Sequence, residues 1–160
     1  MNPAMRSSAA TAGPFPEHPA VRAGGSPRAR AEPRRLAFPA DPRCVAEARH
    51  HALEALAELP RVAEIASLLV SELATNALRH TRGGFQLVVD LTPAHVRIEV
   101  HDTSPTAPLP RRPDADEGGG RGLLIVGSLA DAWGVERRPD GKAVWFELSL
   151  PPAGPSLPAT

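Results

Sequence analysis

SELATNALRH, Ser71 to His80, closes a run with the period of an apolar helix, yet it carries Glu72 and Asn76 four residues apart and leads at once into Thr81-Arg82-Gly83-Gly84. At about 100° per residue the two polar side chains lie roughly 40° apart around the axis, one turn above the other, and share a face. A carboxylate and an amide so placed can position a water, a hydroxyl or a cation. They can equally be two polar residues at the edge of a buried stripe. Ile65, Leu69, Leu73 and Ala77 supply that stripe, for a helix expected over about 62–79 that Gly83-Gly84 terminates.

Working outward, Asp41-Pro42 offers an N-cap with Pro at the first helical position, and Val45, Ala48, Ala52, Leu53, Leu56 and Leu59 keep helical spacing until Pro60. Before it, Arg35 to Phe38 is short and alternating, an edge strand. After the glycines, Phe85 to Leu91 and His95 to His101 are β-rich runs joined by Thr92-Pro93-Ala94. Leu123 to Ala130 reads as a short apolar helix. Gly134 to Arg138 and Ala143 to Leu150 form a second hairpin around Asp140-Gly141. Hairpins in place of βαβ crossovers imply an α+β two-layer sandwich, with a mixed, mainly antiparallel sheet and helices on one face.

Three segments stand outside this pattern. Residues 1–34 are rich in Pro, Gly and Arg without apolar period and are expected to be disordered, as are residues 151–160. The folded domain is then 35–150. Inside it lies a Pro-rich stretch over about 104–119, long enough to be a functional loop. Eighteen basic and eighteen acidic residues cancel, which gives no support for nucleic-acid binding or a polybasic membrane contact. No apolar run approaches the roughly 20 residues that span a bilayer. The single cysteine excludes an intrachain disulfide and a four-Cys zinc site, and it fits a cytoplasmic protein.

Two further clusters join Glu72 and Asn76 as candidates. Asp102 ends the strand HVRIEVHD, where a carboxylate can accept a hydrogen bond from a ligand amino group; it can also be plain turn chemistry before Thr-Ser-Pro. EGGGRGLLIV, Glu117 to Val126, runs glycines and an Arg into an apolar helix, a setting in which backbone N–H groups and the helix N-terminus favour phosphate. A flexible linker before a helix is the bland reading. GxxxxGK[ST] is absent, GGGRGLL does not fit a dinucleotide fingerprint, and the HRD and DFG motifs of the common protein kinases are missing.

Order and spacing together are more specific. SELATNALRHT, then VHDTSP, then GGGRGLLIVGSLADAWGV, then GKAVWFEL resemble the GHKL (Bergerat-fold) ATPase superfamily, and within it the small stand-alone anti-sigma-factor serine-protein kinases. The resemblance covers about residues 35–150. It implies that Asn76 holds Mg²⁺ bridging the ATP phosphates, Glu72 is the general base and Arg79 lies near phosphate. It also implies that Asp102 accepts from the adenine amino group, that Gly120, Arg121 and Gly122 offer backbone N–H groups to phosphate, and that residues 104–119 form an ATP lid. The implied activity is serine/threonine phosphorylation of an anti-anti-sigma-type protein, with a sigma factor as a further partner. A homodimer, usual in such kinases, would use apolar surface on the first helix.

Two departures from the family pattern bear on function. The first glycine box, D-x-G-x-G, is here Asp102-Thr103-Ser104-Pro105-Thr106. A Thr common on the last strand is replaced by Ala143, which removes a hydroxyl hydrogen bond worth about 0.5–1.5 kcal/mol. These favour the alternative of a non-catalytic switch in which nucleotide only sets the shape that a partner reads. Glu72 favours catalysis, because a pure binder needs no base. A detached histidine-kinase catalytic domain is the weaker third reading, since no dimerisation helix with an acceptor His precedes the domain.

Overall fold

The structure is a computed structural model that describes residues 31–105 and 121–152. Most of the N-terminal segment, most of the expected lid, Gly120 and most of the C-terminal tail lie outside those residues. Eight elements follow in order: β1 (Arg34–Phe38), α1 (Cys44–Ala55), α2 (Pro60–His80), β2 (Phe85–Leu91), β3 (His95–Asp102), α3 (Arg121–Leu129), β4 (Ala132–Arg138) and β5 (Gly141–Ser149). The sheet runs β1-β2-β3-β5-β4 and every pairing in it is antiparallel. The mixed sheet expected from the sequence is thus antiparallel among the described residues, because each neighbour is reached by a hairpin or by an excursion through helices that returns the chain reversed.

β3 shows how alternation builds the layers. Val96, Ile98, Val100 and Asp102 are buried, while His95, Arg97, Glu99 and His101 are half-buried on the other face. Register carries the same parity into the neighbours: Ile98 stands between Val89 and Phe146, and Val100 between Leu87 and Val144. The helices pack on that apolar face, α2 against β2, β3 and β5. Small residues on both helices, Ala48 and Ala52 on α1 and Ala63, Ala66, Ala74 and Ala77 on α2, are all buried and let the two helices approach closely. Leu56, Leu69, Leu73, Leu87, Ile98 and Phe146 are fully buried between the layers.

Element ends shift for local reasons. Asp41 Oδ1 accepts from the Arg43 N–H at 2.8 Å in the turn before the helix, and regular α1 begins only at Cys44, with Arg43 in place of Asp41 as its N-cap and without a side-chain capping bond. Pro60 opens α2 instead of merely closing α1, since a first-turn Pro forfeits no hydrogen bond. None of the described helices is long and apolar enough to cross a membrane.

Candidate functional site

The polar face of α2 survives folding as a face. Glu72 and Asn76 are half-buried, and Arg79 is exposed in the last turn with His80, where cations suit the helix C-terminus. Gly122, in the first turn of α3, sits against Glu72: a Cβ built there would stand 2.7 Å from Glu72 Oε2 and 3.4 Å from Glu72 Cβ. The missing side chain lets α3 close on α2. It leaves the Glu72 carboxylate beside the unpaired N–H groups and positive dipole end of α3. Two residues picked from distant segments therefore meet. Arg121 opens α3, and its side chain, like Gly120, lies outside the described residues.

Asp102 ends β3 on the helix-facing side and is buried. Its Oδ1 accepts from the Ser104 backbone N–H at 2.8 Å. Its Oδ2 lies 3.4 Å from Lys142 Nζ, and the two side chains are 1% and 2% exposed. The strand ends are tied down around it. Thr81 and Thr103 share a hydroxyl–hydroxyl hydrogen bond of 2.7 Å, and the Gly83 N–H donates to Thr81 Oγ1 at 3.1 Å. Gly141, at φ 150°, runs so close that a Cβ would overlap the Asp102 carbonyl oxygen; Gly84, at φ 79°, stands in the same relation to the Phe38 carbonyl. A groove of about 440 Å³ opens at these strand ends, with Phe38, Phe85, Asp102 and Lys142 in its lining.

Register pairs Asp102 with Lys142, and Ala143 with His101. By strand alternation Ala143 is turned to the opposite face of the sheet. The residue across from the carboxylate is Lys142, which motif matching overlooked. A signal was present: Lys142 is the only Lys in the chain and has the parity of Val144 and Phe146 on a strand whose other residues of that parity are apolar.

The face of the sheet away from the helices is a charge lattice. Arg97 bonds Glu99 at 2.8 Å, Glu136 at 2.8 Å and Glu147 at 3.3 Å, with its guanidinium 3.9 Å over the Trp145 ring. Gly134 leaves room for that ring, since a Cβ there would come within 2.9 Å of it. Glu99 also meets His101 Nε2 at 2.6 Å and Arg138 at 3.4 Å. The His101 hydrogen bond first, and Arg97 second, hold the Glu99 carboxyl down at about 2 against the opposing effect of burial. A carboxylate whose folded-state value is depressed adds stability above its unfolded value of 4.5, and that stability is lost as pH falls towards 2. Urea midpoints measured from pH 7 to 2.5 should therefore fall less steeply below pH 4.5 for Glu99→Gln than for the wild type. Parallel curves would remove Glu99 as a source of acid sensitivity.

The fit to Mg²⁺ and nucleotide follows from the donor set. Among the described residues no group of three or more His, Cys, Asp and Glu side chains gathers to hold a metal. A magnesium ion would thus depend on the Asn76 side-chain oxygen, phosphate oxygens and water, a set that magnesium accepts. Glu72 and Gly122 are in close contact where α3 meets α2, and the carboxylate of Asp102 is buried at the end of β3.

Residues 38–148 match the histidine kinase-like ATPase domain family. An uncharacterized protein of Streptomyces coelicolor is 36% identical over 90 residues, which span 53% of this chain and 82% of that protein. The crystal structure of the RsbU and RsbW domains of Rv1364c from Mycobacterium tuberculosis superposes with a TM-score of 0.56 at 20% identity, covering 76% of this chain. This chain spans 34% of that structure, and the likeness speaks to the fold. The chain belongs to the histidine kinase-like ATPase domain family and has an α+β fold like that of the superposed structure.

Proposed function

We propose that this member of the histidine kinase-like ATPase family binds ATP with Mg²⁺ and transfers the γ-phosphoryl group to a serine or threonine of a small antagonist protein, as an anti-sigma-factor kinase does. The observation that carries the reading is the meeting of Glu72 with Gly122 at the start of α3, one helical turn from Asn76. This contact supports a reading in which Glu72, Asn76 and the N–H groups that open α3 act on one nucleotide.

In this reading Glu72 accepts the proton of the attacking hydroxyl. The N–H groups of the first turn of α3, from Arg121 and Gly122, with Gly120 before them, bind phosphate oxygens, and Arg79 adds positive charge at the end of α2. Asn76 offers its oxygen to Mg²⁺, which supplies charge neutralisation on the phosphates when bound. Asp102 accepts from the exocyclic amino group of the base. Residues 104–119 are proposed as the lid, and residues 1–34 and 151–160 as extensions of the 35–150 domain. The partners are an anti-anti-sigma-type substrate and a sigma factor. Leu53, exposed on α1, belongs to the apolar surface proposed for a homodimer.

Calorimetric titration with ATP and Mg²⁺ tests the binding half of the proposal. The wild type should bind, and Asn76→Ala and Asp102→Asn should each weaken binding by about tenfold or more, the worth of one charge-assisted or metal-linked contact. No heat from folded wild-type protein at millimolar ATP would remove the nucleotide and leave a partner-binding protein that has kept the fold. Binding without any phosphoryl transfer would favour the non-catalytic switch.

A further inference from the structure

We propose that Thr81 and Thr103 are positioning residues: the hydrogen bond between their hydroxyls clasps the end of α2 to the end of β3, and so fixes the two halves of the nucleotide site relative to each other. The inference rests on the ATP reading above and deepens it. Thr81 caps the C-terminal end of α2, and Thr103 follows Asp102, the last residue of β3. The two lie 22 residues apart in the chain, and one hydroxyl donates to the other at 2.7 Å.

Each partner is already fixed on its own side. The Thr81 N–H donates to the Ala77 carbonyl at 3.0 Å, and the Thr81 hydroxyl oxygen accepts from the Gly83 N–H at 3.1 Å. Beside Thr103, the Ser104 N–H donates to Asp102 Oδ1 at 2.8 Å, and Gly141 runs so close that a Cβ there would stand 2.7 Å from Thr103 Cα. Register holds Phe85 opposite Asp102, which sets β2 on β3. The chain between α2 and β2, however, is Thr81-Arg82-Gly83-Gly84, with Gly84 at φ 79°. Two consecutive glycines make it the most permissive link in this part of the chain. The clasp bypasses that link and ties α2 directly to the residue after Asp102.

The ATP reading assigns Glu72, Asn76 and Arg79 on α2 to the phosphate end, and Asp102 on β3 to the base. A ligand that spans both ends gains from having them set in advance, because less freedom is lost when it binds. A ligand that touches one end gains nothing from the clasp. Thr81 and Thr103 need no contact with the nucleotide for this effect.

The test compares ATP with AMP, which carries the base but lacks the β- and γ-phosphates, on the full chain with Mg²⁺. Calorimetry reads ATP, and nuclear magnetic resonance titration reads the weaker AMP. Thr103→Val keeps the shape and removes the hydroxyl. It should weaken ATP binding about threefold to tenfold, the worth of one hydrogen bond, and leave AMP within about twofold of wild type. Thr81→Val also strips the Gly83 N–H of its acceptor and should lose at least as much, and adding Thr103→Val to it should cost nothing further. Thr103→Ser keeps the hydroxyl and should bind ATP as the wild type does. Wild-type ATP affinity in both Val variants would overturn the proposal while leaving the ATP site intact. An equal loss for ATP and AMP would place the effect at Asp102 alone, and losses that add in the double variant would mean two separate roles; either would also overturn it. Absence of ATP binding in the wild type would remove the parent reading and this one together.

Discussion

Glu72→Gln should lower ATP turnover by about 10²–10⁴-fold, the usual contribution of a positioned general base, with ATP binding retained. Gln is close to Glu in shape, so α2 and its packing against Gly122 should persist while the proton acceptor is gone. The base is also placed by its neighbour. Gly122→Ala puts a methyl group 2.7 Å from Glu72 Oε2, so the carboxylate must swing aside. That variant should lose turnover as well, by less than Glu72→Gln, because the flexible end of the side chain yields while its Cβ, 3.4 Å away, holds its place. ADP release by the purified chain at saturating ATP, where water takes the place of the acceptor hydroxyl, gives both numbers. Wild-type turnover in Glu72→Gln would remove this residue from the chemistry, whatever ATP binding shows.

The second large effect is on stability. Gly141→Ala should destabilise the domain by about 3 kcal/mol or more, which lowers Tm by about 10 °C or more. Two costs combine at this position. The φ of 150° is one that L side chains rarely adopt, and the new Cβ would overlap the backbone carbonyl oxygen of Asp102, which cannot rotate out of the way. The strand must move, and Asp102 with it, so nucleotide affinity should fall alongside stability. Gly83→Ala is the control. Its nearest neighbour would be the Thr103 hydroxyl at 3.2 Å, on an exposed side chain that can shift, and the change should stay within about 0.5–1 kcal/mol. Equal melting temperatures for Gly141→Ala and wild type would show that the β3–β5 junction is not held by this close approach.

Much of the architecture was legible along the chain because it rests on local periodicity. Alternation in His95 to Asp102 marked both the strand and its buried side. The apolar spacing of Ile65, Leu69, Leu73 and Ala77 marked α2 and left Glu72 and Asn76 together on another face. Asp140-Gly141 marked the last turn. Local signals are also ambiguous: Pro60 suits the end of α1, and the same residue is a favourable start for α2, which it opens. The start of α1 came out two residues late for the opposite reason, since Asp41 makes its bond in a turn that becomes regular helix only at Cys44.

Local sequence suffices for the helices, the hairpins, the edge strand and the shared face of Glu72 and Asn76, because each depends on residues within a turn or two of one another. Which of these meet is set by tertiary packing. Gly122 lies under Glu72 because α3 packs on α2. Lys142, not Ala143, faces Asp102 because cross-strand register joins two segments far apart in the chain, and a shift of one residue would exchange the faces of every side chain on β5. Arg97 reaches Glu136 and Glu147 for the same reason, across a sheet order that places β5 between β3 and β4. Backbone period is a property of the local chain, whereas register and helix docking are chosen by the burial of the whole core, and the chemistry of this site depends on that choice.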